Sequence, residues 1–339
     1  MNYSRLLSLF GAGLAGKALW SGLKNKDYFD GKVALITGGS KGLGLVLAQE
    51  LIAEGCKVAI CARDELELAR AKKGLEQDGA IIKTYKCDIS RKDQVDSMIS
   101  AVIRDFGQLD FLFNNAGIIT VGSMETFTEK EYKDSMDIMY WGIVNTTLSV
   151  VPYMKERRKG HIINITSVGG KVSVPHLLAY NSAKFAAVGF SEGSSAELRK
   201  DNIFVTTIVP GLMRTGSYVN AFFPVGKKSE FKLFSFMSSL PLITLNAEKA
   251  AKRILKATRK KRGLKVLGLQ TRAAIEFHHF FPNTTIKLFG VLSRFLPYEE
   301  KKTFEKGLKI TNRDADAEVI GVRRFGQKAQ EQHQTRGFD

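Results

Sequence analysis

The sequence is poor in cysteine, histidine and proline, with three, five and seven of them in 339 residues. The few cysteines, Cys56, Cys61 and Cys87, lie near apolar strand-like stretches, which argues for reduced thiols in a cytosolic setting and against a disulfide framework. The histidines lack metal-ligand spacing, so no metal site is expected, and the neighbouring His278 and His279 are interpreted as an interface pair. The prolines mark no flexible linker, and no internal repeat is present.

Acidic residues are scarce relative to basic ones, with 34 Asp and Glu against 51 Lys and Arg, giving a net charge of +17. The excess is uneven, because sixteen basic and five acidic residues between Leu245 and Ile310 contribute +11 of it. Nucleic acid is an obvious partner for such a charge. However, the basic residues lie beside apolar ones and no nucleic-acid motif accompanies them, so nucleic-acid binding is not expected.

Long uninterrupted hydrophobic runs are also lacking, but residues 1–27 form an apolar segment that resembles a membrane anchor. Its apolar stretch, Leu6 to Leu23, is barely long enough to span hydrocarbon and is interrupted by glycines. A cleaved secretory signal fits poorly because few charges precede this stretch. We therefore expect an interfacial or re-entrant anchor. Lys17, Lys24 and Lys26 would keep the rest of the chain on the cytoplasmic side.

A second apolar and aromatic stretch, Ala273 to Pro297, follows the basic run Arg259 to Arg262. Pro282 interrupts the stretch, so it is not one transmembrane helix. A basic rim beside the apolar pattern Ile286 to Leu296 favours contact with an anionic membrane surface. A dimer contact and a flap over a binding site are the alternatives.

A glycine-rich loop follows the first apolar strand pattern. Lys32 to Thr37 predicts a strand, Gly38 to Gly44 is the loop, and Leu45 to Glu54 has helical apolar spacing. Glycines allow a pyrophosphate to approach the backbone, and a helix N-terminus attracts its charge. The spacing Gly-x-x-x-Gly-x-Gly differs from the common dinucleotide fingerprint.

The second strand pattern, Lys57 to Cys61, indicates which cofactor the loop binds. An acidic residue after it would bind the ribose 2′-hydroxyl of NAD, but Ala62 stands there and Arg63 follows. Arg63 and Lys41 could both reach a 2′-phosphate, which favours NADP over NAD. Asp64 and Glu65 are interpreted as the start of the next helix.

Tyr180 and Lys184 lie four residues apart in a helical pattern, which places them on one helix face. A tyrosine that exchanges protons near neutral pH needs a cation beside it, and Lys184 is placed to be that cation. Ser167, thirteen residues before Tyr180, ends a buried strand pattern that starts at His161. Ligands bind at that edge of an open α/β sheet.

These motifs, together with Cys87-Asp88-Ile89, Asn114-Asn-Ala-Gly117 and Pro210-Gly211 through Thr215, appear in one order and spacing. In this the chain resembles the short-chain dehydrogenase/reductase family over roughly residues 30 to 270. The resemblance implies an α/β Rossmann-type fold, with a doubly wound parallel sheet of about seven strands and helices on both faces. It also implies a domain over 28–270, with 271–339 as a basic, apolar-aromatic extension ending in a polar tail.

The resemblance implies that Tyr180 protonates a carbonyl oxygen, Ser167 hydrogen-bonds to it, and Lys184 lowers the tyrosine pKa and holds the nicotinamide ribose. It also implies a homodimer. The residues expected to bind NADP(H) are Thr37, Gly38, Ser40, Lys41, Gly42, Leu43, Gly44, Arg63, Asp88, Ile89, Asn115, Ala116, Gly117, Tyr180, Lys184, Pro210, Gly211 and Thr215.

One position departs from the family. Met139 stands three residues before Gly142, where the family has a catalytic asparagine thought to support a proton-relaying water. Asn145 cannot replace it, because six residues at ~100° each place it about 240° round the helix. Three interpretations stay open: a relay by another route, a cofactor binder with little turnover, or an altered form of an active parent.

The segment Gly211 to Leu245 is expected to cover the substrate, and its phenylalanines, with Met237, suggest a lipophilic ketone or aldehyde. The membrane-associated arrangement resembles the branch of the family that acts on lipid ketones. The same aromatic side chains could instead serve only for packing. His176 is expected either at the substrate mouth or in an ordinary loop.

Overall fold

The structure, a computed structural model, describes residues 28–76, 80–226, 228–240, 244–298, 302–313 and 333. The predicted anchor segment 1–27 lies outside the described residues, as does most of the predicted polar tail. The strands are β1 (Val33–Thr37), β2 (Lys57–Ala62), β3 (Ile82–Lys86), β4 (Phe111–Asn114), β5 (Gly160–Ile165), β6 (Ile203–Pro210), β7 (Met213–Arg214), β8 (Phe222–Pro224), β9 (Leu245–Asn246), β10 (Leu264–Leu267) and β11 (Phe304–Lys306). The helices are α1 (Gly42–Ala53), α2 (Glu65–Leu75), α3 (Lys92–Phe106), α4 (Glu129–Met136), α5 (Gly142–Glu156), α6 (Leu178–Glu197), α7 (Ser229–Ser239), α8 (Ala247–Arg259), α9 (Leu269–Phe280), α10 (Pro282–Ser293) and α11 (Gly307–Arg313).

The main sheet has seven strands in the order β10-β6-β5-β4-β1-β2-β3, and every neighbouring pair is parallel. The chain moves outward from β1 through β2 to β3, then returns to the other side of β1 with β4. This reversal between β1 and β4 leaves a crevice at the carboxyl ends of the strands, where ligands of such sheets bind. The predicted Rossmann-type, doubly wound α/β fold with about seven strands is confirmed.

The sheet is apolar on both faces because helices cover both. In β1, Ala34 and Ile36 face a cluster that includes residues of α1, α2 and α8. Val33 and Leu35 face the opposite cluster, which includes residues of α3 and α5. Alternate residues of a strand point to opposite faces, so a central strand covered on both sides needs an unbroken apolar run.

Local sequence signals set the element ends close to where the patterns placed them. Asp64 caps α2 by accepting a hydrogen bond from Glu67 N at 3.0 Å, as expected for a helix that starts there. Asn246 caps α8 in the same way, through Lys249 N at 2.9 Å. The strand predicted to end at Ser167 ends at Ile165 instead, and Ser167 begins a short 3₁₀ turn.

The C-terminal extension packs back on the domain. Strand β11 pairs with β8, and Ile310 of α11 joins a small core with Phe223 and Phe231. Helices α9 and α10 are separate, with Phe281 between them and Pro282 as the first residue of α10. None of the helices in the described ranges is long and apolar enough to cross a bilayer.

Candidate active site

A cavity of about 1150 Å³ lies along the carboxyl ends of the central strands. It brings together residues from the glycine loop, the segment after β4, the 3₁₀ turn after β5, and α6. The predicted residues that line it are Gly38, Ser40, Lys41, Gly42, Leu43, Arg63, Asp88, Ile89, Asn115, Ala116, Gly117, Ser167, Tyr180, Lys184, Pro210, Gly211 and Thr215.

Two predicted contacts, Thr37 and Gly44, lie behind the cavity wall and not on it. The Thr37 hydroxyl accepts hydrogen bonds from the backbone N–H groups of Asn115 and Ala116, at 3.0 and 3.1 Å. A Cβ atom on Gly44 would lie 2.2 Å from the Gly38 oxygen, so only glycine fits there. Both residues hold the two loops together.

The glycine loop has the geometry of a phosphate site. Gly38 has a φ of +63°, and a Cβ atom there would lie 2.9 Å from Ala116 Cα. Helix α1 begins at Gly42 with no side-chain cap and no acidic residue in its first turn. The Gly42 N–H donates to the His333 carbonyl at 3.3 Å, a contact for which a phosphate oxygen would compete. A helix N-terminus bordered by glycine backbone suits a dinucleotide pyrophosphate.

The adenosine end of the cavity carries both signs of charge. Lys41, Arg63 and Asp88 line it, as predicted, and so do Asp64 and Glu67. The Glu67 carboxylate accepts from Lys41 Nζ at 2.5 Å and from Ser40 Oγ at 3.2 Å. Sequence reasoning missed Glu67, since its place on the first turn of α2 is also that of an ordinary dipole-complementing acid.

Ser167, Tyr180 and Lys184 meet in the middle of the cavity. Ser167 Oγ accepts from Gly169 N at 3.1 Å, which fixes the side chain at the sheet edge. Lys184 is 4% exposed, and its Nζ donates to the Ile165 carbonyl at 2.9 Å. The ammonium nitrogen lies 5.8 Å from the centre of the Tyr180 ring. The three predicted catalytic side chains are therefore brought together.

Burial is the main cause of the pKa shifts of Tyr180 and Lys184. It raises the pKa of Tyr180 above 10, and a hydrogen bond with the Ser167 side chain lowers it in part. Burial also lowers the pKa of Lys184 from 10.5 to about 8. Desolvation of the phenolate outweighs the groups around it, so the net shift of the Tyr180 pKa is upward. Tyr180 is protonated at neutral pH, as a proton donor must be.

Met139 lies on a π-helical turn, Asp137–Trp141, between α4 and α5. Such turns inside helices are frequent at functional sites. The side chain is fully buried and points to Gly117 on the cavity wall, where a Cβ atom would lie 3.5 Å from the Met139 sulfur. Met139 therefore lies against the cavity wall at Gly117, which Lys184 also borders.

A chain of buried side-chain hydrogen bonds joins the strand ends beneath the cavity to helix α6. Asn114 Nδ2 at the end of β4 donates to Asn164 Oδ1 on β5 at 2.9 Å. Asn164 Nδ2 donates to Ser191 Oγ on α6 at 2.9 Å, and Ser191 pairs with Thr207 on β6 at 2.7 Å. These links fix the strand ends relative to the helix that carries Tyr180.

The far end of the cavity is apolar. Leu233, Phe234 and Met237 of α7 line it, which agrees with a covering role for part of the predicted segment 211–245. Phe223 and Phe231 of that segment are fully buried in the small core and serve packing, the alternative left open by the sequence.

His176 lies at this apolar end, as its first interpretation expected, and lines the cavity. Its Nδ1 lies 2.5 Å from Oε1 of Glu230, a buried residue of α7 that also lines the cavity. The pair connects the loop before α6 with helix α7. Nothing in the sequence signalled it, because the partners are 54 residues apart.

Helix α10 borders the same end of the cavity. Phe289 and Leu292 of α10 line the cavity from one helix face, and Phe295, just after the helix, lines it too. This is the arrangement that the flap alternative for the C-terminal stretch requires. A second set of large apolar side chains does not line the cavity and is exposed: Phe277, Phe280, Phe281, Ile286, Leu288 and Val291.

The cysteines are free and buried, as the reduced-thiol interpretation expected. Burial raises the pKa of Cys56 to about 12 and that of Cys87 to about 11, so neither thiol is a ready nucleophile. In the part of the chain that the structure describes, no three His, Cys, Asp or Glu side chains converge as a metal site requires.

Comparison with known proteins finds similarity to short-chain dehydrogenases and reductases. A family profile described as short chain dehydrogenase matches residues 32–222. The chain is 33% identical over 273 residues to the putative oxidoreductase SadH of Mycobacterium tuberculosis, covering 80% of this chain and 98% of that protein. It is 36% identical over 192 residues to a fatty acyl-CoA reductase of Acinetobacter baylyi, covering 56% of this chain and 65% of that protein.

A solved structure shares the fold. A short chain dehydrogenase/reductase from Burkholderia phymatum in complex with NAD superimposes with a TM-score of 0.68. It is 25% identical in sequence, and the match covers 76% of this chain and 95% of that one.

Proposed function

The chain belongs to the short-chain dehydrogenase/reductase family, an oxidoreductase family that binds nicotinamide cofactors, and on this premise we propose a specific reaction. The protein reduces a lipophilic ketone or aldehyde with NADPH, or catalyses the reverse alcohol oxidation. The observation that carries the proposal is the meeting of Ser167, Tyr180 and Lys184 in the cavity that also holds the glycine loop.

Each side chain has a role that its position supports. A bound nicotinamide supplies or accepts the hydride. The Tyr180 hydroxyl donates its proton to the substrate oxygen, on which negative charge develops during reduction. The Ser167 hydroxyl donates a hydrogen bond to the same oxygen, and the Lys184 ammonium adds a positive charge behind the tyrosine. Preplaced donors in a site with little water act more strongly than donors in solvent.

The apolar end of the cavity supports a lipophilic substrate. Leu233, Phe234 and Met237 on one side and Phe289 and Leu292 on the other offer an apolar surface. The similarity to a fatty acyl-CoA reductase is consistent with a long-chain substrate, although the match spans 65% of that protein.

The adenosine end supports NADPH as the preferred cofactor. Lys41 and Arg63 line it, and Ala62 stands where an acid would favour NAD. Arg63 is exposed and makes no ion pair within the described ranges, which leaves its guanidinium available to a 2′-phosphate.

The outer faces of α9 and α10 support a membrane surface as the working environment. Phe280 is 70% and Ile286 is 62% exposed, next to a region with a large excess of basic residues. Apolar side chains with a basic rim bind anionic bilayers. The reductase domain would lie on the cytoplasmic side, with residues 1–27 as an additional anchor.

Flotation with anionic phospholipid vesicles tests this part of the proposal. The double variant Phe280→Ser/Phe281→Ser should lose binding roughly tenfold while keeping the cavity, because neither side chain lines it. Leu66→Ser, which changes an equally exposed leucine on α2, is the control. Equal binding of all three proteins would refute the role of this surface.

A homodimer is proposed through α6, which carries Tyr180, and through the Met139 segment with α5, which follows it. Trp141, Leu148 and Phe185 are large apolar side chains that are 43–56% exposed on this side of the molecule. Light scattering of Leu148→Glu/Phe185→Glu should give a monomer where the wild type gives a dimer. A monomeric wild type would refute the dimer.

The test of the reaction is loss of NADPH absorbance with a panel of lipid ketones and aldehydes, with NADH in parallel. We expect turnover with NADPH, and a loss of at least about 100-fold in Tyr180→Phe, since the proton donor is removed. Full activity of Tyr180→Phe would overturn the mechanism.

A second candidate function is a membrane-associated NADP-binding protein with little catalysis. The observation that favours it is Met139, whose thioether borders Gly117 together with Lys184 and offers only a weak acceptor. Tight NADPH binding without turnover across the substrate panel would select this candidate.

A further inference from the structure

The carboxylate of Glu67 occupies the place where a 2′-phosphate would seek its partners. Its two oxygens accept from Lys41 Nζ at 2.5 Å and from Ser40 Oγ at 3.2 Å. All three residues line the cavity, and both partners belong to the glycine loop. We propose that Glu67 sets the balance between NADPH and NADH in this site. The inference rests on the proposed nicotinamide-dependent function.

The contacts of Glu67 are those of an internal anion. A carboxylate accepts one hydrogen bond from an ammonium and one from a hydroxyl, as a phosphate oxygen pair does. The Lys41 and Glu67 side chains are 29% and 30% exposed, so water screens their attraction only in part. Lys41 is therefore engaged before any nucleotide arrives.

A 2′-phosphate must displace Glu67 from Lys41 and then lie near its negative charge. Asp64 lines the same part of the cavity, so the carboxylates of Asp64 and Glu67 both add negative charge near the cations Lys41 and Arg63. This leaves little surplus positive charge for a group that carries nearly two negative charges. Arg63 alone has no carboxylate partner in the described part of the chain.

The 2′-hydroxyl of NADH meets no such conflict. It is neutral and can donate a hydrogen bond to a carboxylate, so Glu67 can stay paired with Lys41 when NADH binds. Glu67 thus weakens NADPH binding selectively and reduces the preference for NADPH over NADH that Lys41 and Arg63 provide.

The test measures binding and does not depend on turnover. The dissociation constants of NADPH and NADH are measured by calorimetry for the full-length protein without substrate, in low and in high salt. Glu67→Gln keeps the shape of the side chain and removes its charge. Glu65→Gln is the matched control, because Glu65 lies on the same first turn, pairs with Lys86 and does not line the cavity.

We expect Glu67→Gln to increase the preference for NADPH over NADH about fivefold in low salt, with a smaller increase in high salt, as for a partly exposed ion pair. Glu65→Gln should leave the ratio unchanged. In a Lys41→Met background, Glu67→Gln should change the preference for NADPH over NADH less, because the ammonium group that pairs with Glu67 is missing.

An unchanged ratio in Glu67→Gln would overturn the inference, while NADPH binding by the wild type would still be compatible with the proposed function. An equal change in Glu65→Gln would also overturn it, since the effect would then come from net charge. A wild type that binds neither nucleotide would overturn the proposed function and this inference with it.

Discussion

Met139 and Lys184 both border Gly117: a Cβ atom on that glycine would lie 3.5 Å from the Met139 sulfur and 3.9 Å from the Lys184 nitrogen. The methionine thus lines the same glycine as the ammonium group, at the sequence position where the family has an asparagine. A thioether donates no hydrogen bond and accepts only weakly, so it cannot hold a water there as an amide can.

Met139→Asn should therefore raise kcat for ketone reduction about tenfold, a modest gain because the amide would act through a water and not on the substrate. The measurement is steady-state kinetics under saturating NADPH. Met139→Leu, which fills the same space without a polar group, is the control and should leave kcat unchanged. No gain in Met139→Asn would indicate that protons reach Lys184 by another route.

The pH dependence of reduction should follow Lys184. Its pKa is lowered to about 8, so the ammonium is present below that pH and is lost as the pH rises through it. The Tyr180 pKa is raised, so this group stays protonated over the same range. We expect kcat/KM for reduction to be flat from about pH 6 to 7.5 and to fall above about 8.

Lys184→Arg is the informative variant for this profile, because a guanidinium stays charged throughout. Whatever activity it retains should no longer fall near pH 8. If kcat/KM of the wild type and of Lys184→Arg fell alike above pH 8, the transition would belong to a group other than Lys184.

The contact between His176 and Glu230 should control how well the cavity is covered. Glu230→Ala removes the acceptor of His176 and frees the start of α7, so KM should rise about tenfold with a smaller change in kcat. Glu230→Gln keeps an acceptor oxygen and should stay close to the wild type. Equal damage in both variants would show that the charge of Glu230 matters more than its hydrogen bond.

His161 should make the fold sensitive to acid. Its side chain is 2% exposed, Nε2 lies 2.8 Å from Thr206 Oγ1, and burial lowers its pKa from 6.5 to about 3. Below pH 6.5 the unfolded chain binds a proton that the folded chain does not, so stability falls as the pH drops. At pH 5 this group costs about 2 kcal/mol relative to pH 7.5.

Urea unfolding at pH 7.5 and pH 5 measures this effect. His161→Gln can keep a hydrogen bond to Thr206 and does not titrate, so its stability should fall less between the two pH values. The same fall in wild type and variant would exclude His161 as its source.

The first strand, the glycine loop and the helix after it could be predicted from the sequence alone, and the family resemblance implied the doubly wound parallel sheet with its crevice at the strand ends. The run Val33–Thr37, the glycines after it and the helical spacing from Gly42 are local signals that fix backbone conformation over a few residues. The family motifs then place Ser167, Tyr180 and Lys184, and the structure brings these three side chains together.

Other features of the site depend on distances between residues far apart in the sequence, which a local sequence pattern does not contain. Thr37 and Gly44 belong to the glycine motif, yet they stand behind the cavity wall because they join the loop to Asn115 and Ala116. The direction of the Tyr180 pKa depends on how much protein surrounds the ring, and the sequence does not give that burial.

The sequence by itself determined the glycine loop and the shared helix face of Tyr180 and Lys184, because periodicity and turn residues act within a few positions along the chain, and its family motifs implied the fold and the catalytic trio. Only the tertiary structure decided that Glu67 holds Lys41, that His176 meets Glu230, and that one face of α10 borders the cavity. These contacts join residues 26 to 54 positions apart or separate elements. Each depends on how the helices and loops pack around the sheet.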